Sequence, residues 1–266
     1  MLSDPPIRPS KRLTDTVVSL VGLVVFAPVM AAVTLWIKAV SPGPVFYIAP
    51  RVGLRGRRFG QIKFRTMHTR ADKLGTFTIK SDPRIIWGGE VIRTLRLDEL
   101  PQFLNVLRGE MSVVGPRPED VETVENYFSQ RYWRTLEVLP GLTGIRQIRN
   151  WPHCSDLTPD DVEDEQQYYF DVILPYSIEM DIEYVEKQGF WFDLYLLIAT
   201  TWAVGVKSWW IPLFGGHRAS PSDIKLLSRD RKKAAAPTCN DCGSREQPLH
   251  SSRGSSHAGF STEGAR

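Results

Sequence analysis

Cysteine is scarce in this chain of 266 residues, which excludes a fold held together by a disulfide framework. The cysteines are Cys154, Cys239 and Cys242, an odd and widely spaced set that suits a cytosol-facing protein. The body of the chain also lacks an excess of charge. Residues 229–266 contain seven Lys/Arg and four Asp/Glu, and this net charge of +3 equals that of the whole chain. Global charge therefore indicates no partner, and electrostatic arguments must be local.

A long apolar run occupies residues 16–37. At about 1.5 Å per residue, a helix of this length is able to cross a bilayer. Three interpretations compete, namely a cleaved signal peptide, a spanning helix, and a helix that enters the membrane and returns. The signal peptide is the least favoured, because its apolar region would be shorter and followed by a cleavage site of small residues, whereas this run leads directly into SPGPVF.

Pro28 lies near the middle of this run, where a proline removes a backbone hydrogen bond and kinks or breaks a helix. Basic residues flank the run on both sides, with Lys11 and Arg12 before it and Arg51 soon after it. Positive charge on both flanks gives a spanning helix no preferred orientation, but it suits a re-entrant helix whose ends lie on one side. The residues alone leave the spanning and the re-entrant helix equally open.

A basic segment follows the apolar run, with seven Lys/Arg and no Asp/Glu in residues 51–70. In VFYIAPRVGLRGRRFGQIKFRTM, aromatic and β-branched residues alternate with glycine and basic residues, which predicts a hairpin or a pair of short strands. A solvated surface would explain the charge. A basic segment directly after a membrane segment also suits lipid headgroups or a phosphorylated substrate, and we favour contact with phosphate.

Two adjacent carboxylates, Asp98 and Glu99, lie in the segment RLDELPQFLNVL. The spacing of the leucines predicts a short amphipathic helix with one apolar face formed by Leu97, Leu100, Leu104 and Leu107. Pro101 suits the first turn of this helix, so the carboxylates would lie at its N-terminus. A role in capping the helix N-terminus would explain one of the two carboxylates. Two carboxylates, with Arg93 and Arg96 upstream, indicate a charged site built around a cation or a phosphate.

Two features farther along the chain add to this interpretation. Arg117 lies between two prolines in VGPRPED, and a stiff backbone would position its guanidinium for a bidentate phosphate contact, although a plain proline-rich loop is the alternative. Residues 190–214 are apolar and rich in tryptophan. They predict an amphipathic helix at a membrane interface, with a second spanning helix as the alternative. Cys239 and Cys242 form a CxxC in a tail that we expect to be unstructured rather than zinc-binding.

Short motifs occur along the chain in a fixed order. KR..D begins at Lys11, and it is followed by SPGPVFY, IKFRTM, DPRI, RLDELPQ.LNVL.GEMS.VGPRPE, PGLTG and an FDL that ends at Leu194. This order resembles the monotopic phosphoglycosyl transferases, or bacterial sugar transferases, in their small single-domain form. The resemblance covers residues 11–201, and the block from LDELPQ to VGPRP is too long for chance agreement.

The resemblance implies an α+β fold: a mainly helical, membrane-associated catalytic domain with a small β-hairpin and interfacial amphipathic helices. Its parts would be an N-terminal extension (1–10), a re-entrant, proline-broken membrane helix (11–40), the catalytic domain with an interfacial C-terminal helix (41–214) and a flexible tail (215–266). The re-entrant motif would consist of Lys11, Arg12, Asp15 and Pro28. Both flanks of that helix, and the catalytic domain, would face the cytoplasm at the bacterial inner membrane.

The resemblance also implies a chemistry, the transfer of a sugar-1-phosphate from a UDP-sugar to undecaprenyl phosphate at the start of glycan assembly. Asp98 would be the nucleophile, and Glu99 would bind Mg²⁺ with it, Mn²⁺ being the alternative ion. Four basic residues fall on motif positions associated with the phosphates: Arg93, Arg117, Lys63 and Arg65. Inner-membrane lipids and a second copy of the chain are further expected partners, and nucleic acid is not.

Three departures from the family pattern lie where selectivity for the nucleotide or sugar is expected. Arg96 stands where relatives usually have Ser or Thr, GIRQI replaces the usual GWAQV at residues 144–148, and residues 156–165 form an acidic insertion. None of them alters Asp98 or Glu99. Two other functions stay open at this point: a membrane scaffold of the same fold without turnover, and a glycosyltransferase that releases UDP.

Overall fold

The computed structural model describes residues 8–69, 71, 82–149, 162 and 164–202; the cysteines and the predicted tail at residues 215–266 lie outside this part of the chain. The first half contains a long helix, a hairpin and two short helices: α1 (Pro9–Val40), β1 (Phe46–Val52), β2 (Arg58–Phe64), α2 (Gly89–Thr94) and α3 (Phe103–Arg108). A 3₁₀ turn, Leu97–Gln102, separates α2 from α3.

The second half contains two short strands among helices: β3 (Ser112–Val114), α4 (Val121–Tyr127), β4 (Gly141–Thr143), α5 (Ile145–Arg149), α6 (Glu165–Tyr168), α7 (Leu174–Lys187) and α8 (Phe190–Trp202). A 3₁₀ turn at Tyr132–Glu137 precedes β4, and a π-helical turn at Tyr169–Ile173 joins α6 to α7. The described residues are therefore mostly helical, with a small content of strand, as an α+β fold requires.

Each of the two small sheets has two strands. β1 and β2 pair antiparallel from Phe46 opposite Phe64 to Val52 opposite Arg58, which confirms the predicted hairpin. β3 and β4 pair in parallel and bring the VGPRP and PGLTG segments together. Their backbones approach so closely that a Cβ on Gly141 would lie 2.1 Å from the backbone nitrogen of Gly115. Only glycine fits this crossing.

The principal core lies where α3, β3, α5, α7 and α8 meet, and its buried residues are Val106, Met111, Val113, Val114, Ile145, Met180, Tyr184 and Leu196. A second cluster joins the C-terminal part of α1 to β2 and α2 through Val33, Ile37, Phe64, Ile86 and Ile92. The 3₁₀ turn Leu97–Gln102 packs on β2 and against α1. The two adjacent carboxylates are therefore carried by a turn that is supported from both sides.

The polarity of α1 is the reverse of that of a helix on a water-soluble core. Its buried residues in the first half are Asp15, Ser19 and Gly22, whereas its exposed residues include Leu13, Val17, Leu20, Val21, Val24 and Val25. Asp15 accepts hydrogen bonds of 2.9 Å from the Ser112 hydroxyl and from the backbone N–H of Val113. Small and polar residues facing protein, with apolar residues facing outward, are typical of helices surrounded by lipid.

Both ends of α1 are attached to the same domain. Lys11 donates to Asp193 at 2.7 Å, and Arg12 donates to the carbonyl of Val106 at 2.5 Å. At the other end Ile37 is fully buried in the cluster that contains Phe64. The helix has the length and hydropathy of a membrane span, yet both of its ends pack on one body. The KR..D motif therefore fastens the start of α1 to the domain.

Two predictions about local structure are wrong. Helical structure continues through Pro28, which corrects the predicted break; a kink at this proline inside one continuous helix stays a prediction. A proline inside a helix removes one hydrogen bond, and the remaining bonds of a long helix can preserve its continuity.

The predicted leucine face does not form the buried side of one helix. The segment starts as a 3₁₀ turn, Leu104 is 36% exposed, and the buried residues include Gln102, Phe103, Asn105 and Val106. The side chain of Asn105 accepts a hydrogen bond from the backbone N–H of Ile62 in β2, and this tertiary contact decides which side of α3 faces the protein.

We expect Gly22→Leu to weaken the packing of α1 on α3. A Cβ at Gly22 would lie 2.7 Å from the ring of Phe103, so a larger side chain must displace either the ring or the helix. The free energy of unfolding should fall by about 1–3 kcal/mol. The measurement is thermal unfolding of the full chain in detergent, in which the midpoint should be lower than that of the parent. Val21→Leu, on the exposed side of α1, is the control and should have little effect. An unchanged midpoint for Gly22→Leu would contradict this packing.

Candidate active site

The turn Leu97–Gln102 carries Asp98 and Glu99 and is tied to β2 by buried amide side chains. Gln61 Nε2 donates to Gln102 Oε1 at 3.0 Å, and the backbone N–H of Ile62 donates to Asn105 Oδ1 at 2.9 Å. Burial shields these bonds from water and strengthens them. The turn therefore has a fixed place beside the hairpin, and this placement brings Lys63 of β2 to the two carboxylates.

Glu99 is the centre of an ionic cluster. Its Oε1 lies 3.3 Å from Arg96 Nη1, 3.3 Å from Arg117 Nη2 and 4.0 Å from Lys63 Nζ, and its side chain is 10% exposed. Burial by itself would raise the pKa of Glu99, but the neighbouring positive charges, Arg117 foremost, hold this pKa well below its usual range. Glu99 is therefore ionised at neutral pH.

The pKa values of Asp98 and Lys63 shift toward the neutral forms of these two groups. Burial raises the pKa of the Asp98 carboxyl above its usual range, and the negative charge of Glu99 raises it further. Burial lowers the pKa of the Lys63 ammonium, although the charge of Glu99 opposes that shift. Arg93 is among the cations that favour the ionised form of Asp98. Residues from β2, from α2 and from the turn thus act on one pair of carboxylates.

A network of buried charged side chains contacts the backbone of the loop that carries Arg117. The guanidinium of Arg146 is hydrogen-bonded to the Glu119 carboxylate and lies 3.5 Å from Asp181 Oδ2; these side chains are 2%, 9% and 3% exposed. The Asp181 carboxylate also accepts a hydrogen bond from the backbone N–H of Arg117. On the other side, the backbone N–H of Val52 donates to the carbonyl of Glu119 at 3.0 Å. The VGPRPE loop is therefore held from two directions.

The sequence singles out Arg146 only as a departure from the family pattern. Its partner Glu119 lies 27 residues away in the chain, and nothing in the local composition around residue 146 indicates that its guanidinium is fully buried. The one available signal is that Arg146 lies among the isoleucines of GIRQI, where relatives usually have GWAQV. The folded chain is needed to show that this arginine supports the loop of Arg117.

The structure brings together most of the predicted site residues. Asp98, Glu99, Lys63 and Arg117 lie in the cluster, and Arg93 acts on Asp98 through its charge.

Arg65 does not contact Asp98 or Glu99 through the hydrogen bonds of its guanidinium, and its predicted contact with phosphate stays a prediction. Its guanidinium donates to the carbonyls of Pro42 at 2.9 Å and Ser41 at 2.8 Å, and the residue is 6% exposed. Because this guanidinium is buried against main-chain carbonyls, Arg65 secures the loop that follows α1.

The adjacent carboxylates of Asp98 and Glu99 are oxygen donors of the kind that bind Mg²⁺. In the described part of the chain, no cluster of three or more His, Cys, Asp or Glu side chains is arranged to hold a metal ion. Proteins commonly bind Mg²⁺ through one or two carboxylates together with phosphate oxygens and water. Asp98 and Glu99 would supply the protein ligands, and a diphosphate substrate would supply the others.

Comparison with known families identifies the group of proteins to which this chain belongs. Residues 7–207, most of the chain, match the family model described as bacterial sugar transferase. The chain belongs to the bacterial sugar transferase family. This match confirms the resemblance that the order of motifs indicates, and the cluster around Glu99 lies within the matched region.

Three curated members of the bacterial sugar transferase family show how far the similarity extends. The chain is 36% identical over 193 residues to the UDP-glucose:undecaprenyl-phosphate glucose-1-phosphate transferase of Escherichia coli (strain K12), covering 71% of this chain and 39% of that protein. The transferase of the same name from Caulobacter vibrioides is 34% identical over 194 residues, with coverage of 71% and 67%. The exopolysaccharide production protein ExoY of Rhizobium meliloti is 34% identical over 211 residues, with coverage of 73% and 85%. This chain therefore spans less than half of the Escherichia coli relative.

We expect Asp181→Asn to change how stability depends on pH. Burial raises the pKa of Asp181 to about 7, although Arg146 opposes the shift. A carboxyl group whose pKa is raised by folding binds more protons in the folded state, so its contribution to stability is present at low pH and is lost as the pH rises through about 7. The free energy of unfolding of the variant, relative to the parent, should therefore increase by about 1–3 kcal/mol between about pH 4 and pH 8.

Thermal or urea unfolding of both proteins across this pH range measures the difference. Asp171→Asn, at an exposed position just before α7, is the matched control and should show no comparable trend. A pH-independent difference for Asp181→Asn would contradict the buried, ionisable carboxyl group.

Proposed function

We propose that this chain transfers a sugar-1-phosphate from a UDP-sugar to undecaprenyl phosphate and releases UMP. The supporting observation is the pair of adjacent carboxylates, Asp98 and Glu99, surrounded by cationic side chains from three segments. Undecaprenyl phosphate and UDP-glucose appear in the names of the Escherichia coli and Caulobacter relatives. The product would start the assembly of an exopolysaccharide, capsule, O-antigen or glycoprotein glycan.

In the first step, a carboxylate oxygen of Asp98 attacks the phosphorus atom that carries the sugar. The bond between this phosphorus and the oxygen that bridges to the α-phosphate breaks, and UMP leaves with that oxygen. The product is a phosphosugar bound to Asp98. A raised pKa makes the ionised carboxylate more basic than an exposed aspartate, which favours its action as a nucleophile.

In the second step, an oxygen of undecaprenyl phosphate attacks the same phosphorus atom, and the bond to Asp98 breaks. The bond between the sugar and its phosphate stays intact throughout, so the product is a polyprenyl diphosphosugar. Lys63, Arg93 and Arg117 offset the repulsion between the anionic reactants. Mg²⁺, or Mn²⁺, bound through Asp98 and Glu99 would neutralise charge on the phosphates when present.

We also propose that the chain is monotopic, with α1 bent at Pro28 so that it enters the membrane and returns to the same side. The apolar residues of α1 point away from the domain, and both helix ends are fastened to that domain by Lys11, Arg12 and Ile37. The exposed apolar and aromatic side chains of α8 extend this lipid-facing surface: Trp191, Tyr195, Ile198 and Trp202. With the domain on the cytoplasmic side of the inner membrane, a soluble UDP-sugar and a lipid phosphate would meet at the site.

Nucleotide release by purified full-length protein tests the reaction. With Mg²⁺, undecaprenyl phosphate and a panel of UDP-sugars that includes UDP-glucose, we expect UMP from at least one donor. Asp98→Asn should lower this rate by about 10³-fold or more and prevent formation of a phosphosugar adduct, which intact-protein mass measurement detects. Asp171→Asn, at an exposed position whose carboxylate accepts a hydrogen bond from Gln167, is the matched control and should keep the rate of the parent.

Other outcomes would contradict the proposal. UDP as the released nucleotide would indicate a glycosyltransferase that transfers the sugar alone. Full activity of Asp98→Asn would remove the nucleophile assignment. No nucleotide release from any donor would favour a membrane scaffold of the same fold.

Membrane topology is tested with tags at both ends of the chain. In intact spheroplasts, a tag at the N-terminus and a tag at the C-terminus should both be protected from externally added protease, because a re-entrant α1 leaves both flanks in the cytoplasm. A protease-sensitive N-terminal tag with a protected C-terminal tag would show that α1 spans the membrane.

A further inference from the structure

Arg96 has a backbone conformation that disfavours a side chain. It lies between α2 and the turn Leu97–Gln102 with φ 56° and ψ 22°, in the left-handed region. Among the described residues other than glycine, Arg55 is the second with a positive φ, at 55°. Left-handed backbone is less costly for glycine than for arginine, because glycine has no Cβ. The two positions therefore share one type of strain.

The side chains at these two positions have different surroundings. Arg55 is exposed in the loop that joins β1 to β2. The Arg96 side chain is 16% exposed, and its Nη1 lies 3.3 Å from Glu99 Oε1. The strained backbone at residue 96 thus directs a guanidinium toward the carboxylates. Strain that coincides with a contact to the site is a reason to look for a functional role.

The site holds more positive than negative charge. Lys63, Arg96 and Arg117 all lie within 4.0 Å of one oxygen of Glu99. Arg93 and Arg96 also act on Asp98 through their charges. With two carboxylates and four cations, the cluster holds an excess of positive charge even before a metal ion is counted, and this excess favours an anionic ligand such as a diphosphate.

We propose that Arg96 is an additional donor-binding residue, which holds Glu99 before the nucleotide sugar binds and contacts the diphosphate of the nucleotide once it is bound. This inference rests on the proposed use of a UDP-sugar. A guanidinium suits both roles, because its planar array of N–H donors binds carboxylate and phosphate oxygens alike. The side chain would need only a local rotation to exchange one oxyanion for the other.

Binding of UDP to the full-length protein in detergent, measured by calorimetry, tests Arg96 directly. Arg96→Gly should weaken UDP affinity by about 10-fold or more, since it removes a charge-assisted contact to phosphate. Arg96→Lys should retain part of the affinity, because the charge is kept. Uridine has no phosphate, so its affinity should be the same in the parent and in both variants.

Thermal unfolding separates binding from a purely structural role. Arg96→Gly relieves left-handed strain, so its unfolding midpoint should equal or exceed that of the parent, by about 2–4 °C if the strain is fully released. Arg55→Gly is the matched control, with the same backbone conformation at an exposed site; it should keep the UDP affinity of the parent. UDP affinity that is unchanged in Arg96→Gly would overturn the inference. The inference would also be overturned if Arg96→Gly lost UDP affinity together with a lower unfolding midpoint, and Arg96→Lys restored none of that affinity.

The inference and the proposed reaction fail in different ways. If the parent releases UMP from a UDP-sugar and Arg96→Gly binds UDP as the parent does, only the role of Arg96 is wrong. If no donor yields UMP but Arg96→Gly loses UDP affinity with its stability intact, Arg96 is a diphosphate ligand and the proposed reaction is wrong.

Discussion

The attraction between Glu99 and the cations around it is the interaction on which the arrangement of this site depends. The hairpin supplies Lys63, the residue before the turn supplies Arg96, and the proline-rich loop supplies Arg117. These segments are far apart in sequence, and each is fixed by contacts of its own. Burying several charges together is costly unless they are paired. A diphosphate that enters this cluster would therefore find positive charge already in position, which is the condition for electrostatic stabilisation of a phosphoryl transfer.

The supports of the cluster explain why so many polar residues are buried in a small domain. Gln102 and Asn105 fasten the turn to β2, and Arg146 with Asp181 fastens the loop that carries Arg117. Buried polar groups are tolerated when their partners are in place, and they then rigidify the structure around them. The proposed reaction, in which Asp98 attacks phosphorus, would require this rigidity.

On α1, polar and small residues face the protein and apolar residues face outward, which is the opposite of the arrangement in a water-soluble domain. Asp15 and Gly22 face the domain, and valines and leucines face outward. This pattern would be unfavourable in water, and it becomes favourable where lipid surrounds the helix, since apolar surface is then in contact with apolar solvent. The anchors at both helix ends place the site beside that surface. The proposed reaction between a soluble donor and a lipid acceptor would require this proximity.

The family, the hairpin and the identity of the two carboxylates could be predicted from sequence, because short motifs and local periodicity carry that information. Local sequence did not show that the Arg65 guanidinium is buried against main-chain carbonyls, it predicted the buried side of the leucine-rich helix wrongly, and it supplied no partner for Arg146. Each of these depends on contacts between segments distant in the chain, such as the carbonyls that bind Arg65 and the bond from Asn105 to β2. Composition and order of residues thus determined which chemical groups are present and where the chain is apolar. The tertiary structure decided which charges meet and which faces are buried, because these outcomes follow from the packing of the whole domain.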